Sequence, residues 1–183
     1  MESRFFADIL LNRHNAAILD RWNALDLPDG WLVAGSLFQT IWNLQSHQPP
    51  EAGIKDYDLF YFDPHDLSAA AEQQVQARVE SVLADLGITL EACNQARVHL
   101  WYEGHFGHPY PALQHSRDGI DRFLMPCTCV GVRPDDVYAP NGLTGLYRGT
   151  LSMNPLTPHR ALYLQKTASY RRRWPWLRCE DAA

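Results

Sequence analysis

The sequence predicts one α/β or α+β domain, and three observations carry that reading. Composition is that of an ordinary globular chain: of 183 residues, 46% are hydrophobic and 20% charged, which excludes disorder, collagen and coiled coil. Helix-period and strand-like patterns alternate over the first hundred or so residues. After them comes a stretch rich in Gly, Pro and His, with no internal repeat and no linker long enough to force a second domain. Residues 1–183 are therefore expected to fold together, with a core of about 1–135 and an irregular C-terminal extension of about 136–183.

From Arg4 to Ala24 the apolar residues Phe5, Phe6, Ile9, Leu10, Ala17, Ile18 and Trp22 recur at intervals near three and four, predicting one amphipathic helix. DLPDG at Asp26–Gly30 stops it. Trp31–Ala34 reads as a short buried strand, and Gly35 turns it into a second helix with Ser36 as N-cap. Ile54–Phe62 is a β-prone run in which Asp56 and Asp58 project from one face. A helix over Leu67–Leu86 ends at Gly87. Ile88–Cys93 and Ala96–Tyr102 read as two strands of a hairpin turning at Asn94-Gln95, with His99, Trp101 and Glu103 on one face of the second. A short strand near Cys127–Val132, a helix near Leu143–Leu151 and a last helix over Arg160–Arg173 complete the prediction.

The formal net charge of −5 excludes a generic polyanion binder, so any phosphate contact must be local. The N-terminus lacks the pattern of a signal peptide, and no apolar run is long enough to span a bilayer. A cytoplasmic protein with reduced thiols and no membrane partner is expected, Cys127 and Cys129 being core thiols rather than zinc ligands.

Gly35-Ser36 opening a helix directly after a strand lets a ligand approach backbone N–H groups that carry partial positive charge. Alone, such a turn serves the bend and the cap. About twenty residues on, however, Asp56 and Asp58 point the same way from an apolar strand, an arrangement that is costly unless a cation offsets their repulsion. Hard carboxylate oxygens suit Mg²⁺, which completes its shell with substrate phosphates.

With Ala34-Gly35-Ser36 and Lys55-Asp56-Tyr57-Asp58-Leu59 in place, the chain resembles the polymerase-beta-type nucleotidyltransferase superfamily. Through Asn94–Glu103, Pro140–Leu143 and Asn154-Pro155 it looks like a bacterial family assigned to that superfamily. The resemblance implies an α+β fold with a mixed sheet flanked by helices. It also implies a nucleoside triphosphate held by Gly35 and Ser36, and Mg²⁺, replaceable by Mn²⁺, held by Asp56 and Asp58 as metal ligands and catalytic carboxylates. The activity implied is transfer of a nucleoside monophosphate to a hydroxyl on RNA, protein or a small molecule.

The superfamily carries a third carboxylate on a later strand. The best match to its alternating context here is Arg97-Val98-His99-Leu100, which puts His99 in the catalytic position; Glu103 and Glu91 are further candidates. Lacking the acid, the chain would read alternatively as a non-catalytic nucleotide-binding or regulatory module. Lys166, Arg171, Arg172, Arg173 and Arg178 gather at the end with Tyr170, Trp174 and Trp176. That patch reads either as a helix end whose two tryptophans close the core or as a phosphate contact, with Lys166 as an additional site residue.

Overall fold

The computed structural model describes residues 1–180. Where one N-terminal helix was expected there are three: α1 (Glu2–Leu10), α2 (Arg13–Asp20) and α3 (Trp22–Leu25). Asn12 causes the first break. Its Oδ1 accepts from the backbone N–H groups of His14 at 3.0 Å and Asn15 at 3.5 Å, capping α2. It is fully buried, and its Nδ2 donates to Thr40 Oγ1 at 3.0 Å and to the Tyr57 hydroxyl at 3.3 Å. A polar side chain that satisfies four groups at the corner outweighs the continuity of the apolar pattern. Asn12→Ala is expected to lower the unfolding free energy by about 2–3 kcal/mol, read as a fall in urea midpoint at constant slope.

Next come β1 (Trp31–Val33), α4 (Gly35–Gln45), β2 (Asp56–Tyr61) and α5 (Ala69–Val82). A 3₁₀ turn at Ala84–Leu86 and the left-handed Gly87 (φ 62°) lead into β3 (Thr89–Asn94). Beyond it lie α6 (Tyr102–Phe106), α7 (Ser116–Ile120), β4 (Gly131–Arg133), β5 (Asp136–Tyr138), α8 (Thr144–Arg148), β6 (Thr150–Leu151), α9 (Arg160–Arg173) and β7 (Arg178–Cys179). The main sheet has the order β3-β2-β1-β4-β5. Only β2 and β3 run parallel, joined through α5; β1 pairs antiparallel with β2 and β4, and β4 with β5. The result is the α+β architecture, a mixed sheet flanked by helices.

The expected strand at Ala96–Tyr102 is absent, and with it the hairpin. Asn94 ends β3: its Oδ1 accepts from Asp63 N at 3.0 Å and Ala96 N at 3.1 Å, while its Nδ2 donates to Asp63 O at 2.9 Å. The chain then enters a 3₁₀ turn at Val98–Leu100 and α6, with Arg97 drawn to the carboxylate of Glu72 and the carbonyl of Leu67. These ties hold the chain toward Asp63 and α5 rather than back along β3. His99 and Glu103 are thus on helical turns, not on a strand facing Asp56.

The principal core runs from Phe5 on α1 to Leu177, and includes Leu146, Leu151, Tyr163 and Trp174 from the C-terminal segment. That segment is more regular and more central than its Gly/Pro content suggests. Trp174 is fully buried and donates through Nε1 to Asn43 Oδ1 at 3.1 Å; Trp176 Nε1 donates to Ser46 Oγ at 2.9 Å. Both tryptophans lock the end of the chain to α4 and the residue after it, in line with their expected core-closing role. Among the described residues, no helix is long and apolar enough to cross a membrane.

Candidate active site

Along β2 the side chains alternate strictly. Tyr57, Leu59 and Tyr61 enter the core, leaving Asp56, Asp58 and Phe60 half-buried on the opposite face. Beside this face, β1 hands over to α4 at Ala34, whose backbone sits at φ 59°, ψ −138°. That is left-handed territory for a residue with a Cβ, and such strain collects at binding turns. It delivers Gly35 as the first residue of α4, where N–H groups have no intrahelical partner. Ala34→Gly should relieve the strain and raise the melting temperature by a few degrees, worth about 1 kcal/mol after the added freedom of the unfolded chain.

A cavity of about 280 Å³ brings the pieces together, lined among others by Gly35, Asp56, Asp58, Met125, Lys166 and Tyr170. Gly35, both aspartates and Lys166 therefore share one cavity. Ser36 is not the N-cap, which is Ala34. Its side chain is fully buried and donates to the carbonyl of Val33 at 3.2 Å, and Ser36 is not among the residues lining the cavity.

Electrostatics single out Asp58, whose carboxyl is pushed up to about 7. Burial is the main cause, followed by repulsion from Asp56 and Glu91, against which Lys166 pulls the other way. Glu91 belongs to β3 and is the direct register partner of Asp58, as Thr89 is of Asp56. Parallel partners share a face, so three carboxylates stand on one side of two neighbouring strands. His99 and Glu103 line neither of the two cavities that Asp58 borders. The acid registered beside Asp58 is Glu91, which the sequence offered only as a further candidate.

An edge strand has to be held in place for Glu91 to keep this position. Gln76 of α5 does so: its Nε2 donates to Leu90 O at 2.6 Å and its Oε1 accepts from Ala92 N at 2.7 Å. Glu72 Oε1 accepts from Asn94 N at 2.9 Å one turn away. The side chains of α5 thereby take the hydrogen bonds a further strand would have taken.

The sequence profile of a family described as nucleotidyltransferase matches residues 20–179. The chain belongs to that family. An NMR structure described as revealing a CCA-adding enzyme head domain aligns with a TM-score of 0.73 and 26% identity, covering 91% of this chain and 89% of that one. No curated protein matches the sequence significantly. Gly35, Asp56, Asp58, Glu91 and Lys166 all fall inside the nucleotidyltransferase match.

In this nucleotidyltransferase-family chain, α9 serves the site through one face only. Lys166 and Tyr170 border the cavity. Arg173 is structural, donating to Gln39 Oε1 at 2.6 Å and Ala52 O at 2.8 Å, while Arg171, Arg172 and Arg178 are exposed. Sequence reasoning named Tyr170 only within the basic-aromatic patch and missed the Phe123–Met125 wall, because nothing local in their sequence marks a cavity. Among the described residues no three His, Cys, Asp or Glu side chains converge closely enough to hold an ion unaided. Asp56 and Asp58 are nevertheless hard donors facing one cavity, and Mg²⁺ takes only one or two protein carboxylates when phosphate and water complete its shell. The donor set fits that ion.

Proposed function

We propose that this chain is a Mg²⁺-dependent nucleotidyltransferase that moves a nucleoside monophosphate from a nucleoside triphosphate to an acceptor hydroxyl. One observation carries the reading: the strained Gly35 turn, Asp56, Asp58 and Lys166 line a single cavity. The Gly35 turn offers N–H groups to phosphate oxygens, and Lys166 adds a cation to the same cavity. Bound at Asp56 and Asp58, Mg²⁺ would supply charge neutralisation for the phosphates and lower the pKa of the attacking hydroxyl. Asp58 and Glu91 are the groups able to take the acceptor's proton. The acceptor oxygen then bonds to the α-phosphorus as the bridging bond breaks, and pyrophosphate leaves with the electron pair. Glu91, registered beside Asp58, supports this reading over that of a non-catalytic module lacking a third acid.

Titration calorimetry with ATP, CTP, GTP and UTP tests the first half of this. At least one triphosphate is expected to bind with Mg²⁺ or Mn²⁺ and to weaken at least about 10-fold in EDTA or in Asp56→Ala/Asp58→Ala. Failure of all four to bind would sink the reading.

A further inference from the structure

Asp58 borders a second cavity, of about 290 Å³, which shares the wall residues Phe123 and Leu124 with the first. Glu91 lines this second cavity and is absent from the lining of the first; Gly35, Asp56 and Lys166 line only the first. The dividing wall is built rigidly. Asn154 Nδ2 donates to the carbonyls of Asp121 and Phe123, both at 2.7 Å, Asn154 N to that of Leu124 at 3.0 Å, and Thr157 Oγ1 to that of Arg122 at 2.8 Å. Four successive carbonyls are thus pinned by two side chains and one backbone N–H.

The chamber is aromatic. Tyr102 packs against Tyr110 with ring centroids 4.2 Å apart and against Phe106 at 4.6 Å, and half-exposed Trp101 stands at its rim. Into this apolar setting projects Arg122, whose guanidinium lies over the Tyr110 ring at 5.4 Å. Among the described residues this guanidinium has neither an ion-pair nor a hydrogen-bond partner. A half-buried guanidinium without a carboxylate is unusual, since burial of a charge is costly unless a partner arrives.

In-line displacement requires the attacking oxygen to approach the α-phosphorus from the side opposite the departing pyrophosphate. If the phosphates occupy the Gly35–Lys166 cavity, the acceptor enters from the other side of Asp58, and there the aromatic chamber lies. We infer that this chamber is the acceptor subsite, and that its occupant is a small hydroxylated anion with a flat apolar face. Arg122 holds its negative group, the aromatic walls hold its face, and its hydroxyl meets Glu91. The inference rests on the transferase reading above. A polymer tract is disfavoured because the chamber is near the small end for ligand pockets and carries a single free cation, whereas nucleic-acid grooves line up a series of phosphate contacts.

The test uses the full chain with Mg²⁺ and a nonhydrolysable triphosphate, following Trp fluorescence and saturation-transfer NMR. Three probes separate the features: 4-hydroxybenzoate has ring and charge, 4-hydroxybenzamide the ring alone, glycolate the charge alone. The expected result is that 4-hydroxybenzoate binds at least about 10-fold tighter than either other probe. Arg122→Gln should erase that difference and Arg122→Lys restore part of it, with triphosphate affinity and melting temperature unchanged in both. Equal binding of the three probes overturns the inference. So does an Arg122→Gln loss of triphosphate affinity, which would make the chamber a nucleotide subsite, or tighter binding of a short RNA with a free 3′-hydroxyl than of 4-hydroxybenzoate. If wild-type protein binds no triphosphate, the transferase reading fails first, and the inference with it; if triphosphate binds but the probes are not discriminated, only the inference fails.

Discussion

Asp58→Asn is expected to abolish nucleotidyl transfer and, in the absence of divalent cations, to make the protein more stable at pH 8. The second effect follows from the raised carboxyl of Asp58, about 7 when folded against about 3.9 in an unfolded chain. Between those values the folded state binds more protons than the unfolded state, so stability falls as pH rises through the window and carries the full cost above 7. Asn imitates the protonated form and carries no such cost. Wild type and variant should therefore melt together near pH 4 and diverge by pH 8, by about 1–2 kcal/mol once solvent screening is allowed for, or roughly 2–8 °C. Adding Mg²⁺ should raise the melting point of the wild type and leave the variant almost unmoved. Transfer should drop about 10³-fold or more, since a metal ligand and a proton acceptor go together. A variant less stable than wild type at pH 8 without metal would contradict the repulsion on which this rests.

The second large effect separates Glu91 from His99, the two candidates for the position of the third catalytic group. Glu91→Gln should reduce kcat by about 10²–10³-fold while leaving triphosphate binding within about twofold, because it acts on the acceptor's proton rather than on the phosphates. His99→Ala should leave kcat within about threefold. The measurement is pyrophosphate release under saturating triphosphate, with melting curves to show that both variants fold. A deep loss in His99→Ala with Glu91→Gln active would reverse the assignment.

These two residues also show where the sequence was legible. Asp56 and Asp58 were readable because period-two alternation in a β-prone run leaves little doubt about which residues share a face. The Gly35 turn was readable because a strand, a glycine and a helix stand in immediate succession. Lys166 was named from its basic-aromatic surroundings, although nothing in them tells a solvated helix face from a cavity wall. His99 was placed on a strand, which the structure does not form, for a definite reason. Arg97–Leu100 alternates as a strand would, but the side chain of Asn94 bonds to Asp63 and turns the chain away, a long-range tie that no local pattern encodes. Reading β2, α5 and β3 as a parallel crossover unit, rather than β3 as half a hairpin, puts Glu91 opposite Asp58 directly. The N-terminal helix fails similarly: the Asn12 bonds to Thr40 and Tyr57 span sequence distances invisible to periodicity. Tyr170, Arg122 and the Phe123–Met125 wall belong to segments whose meaning is purely tertiary.

The Gln76 amide has a consequence for how this molecule meets copies of itself. A sheet whose outermost strand shows free N–H and C=O groups is a template for another chain, the usual start of strand-swapped dimers and of aggregates. At β3 the inner segment of that template is occupied, because Leu90 O and Ala92 N are bonded to Gln76 and Asn94 N to Glu72. The opposite margin, β5, offers only the three residues Asp136–Tyr138. Two polar side chains on one helix thus guard the flank that carries Glu91, so self-association through strand addition there would first have to strip them away.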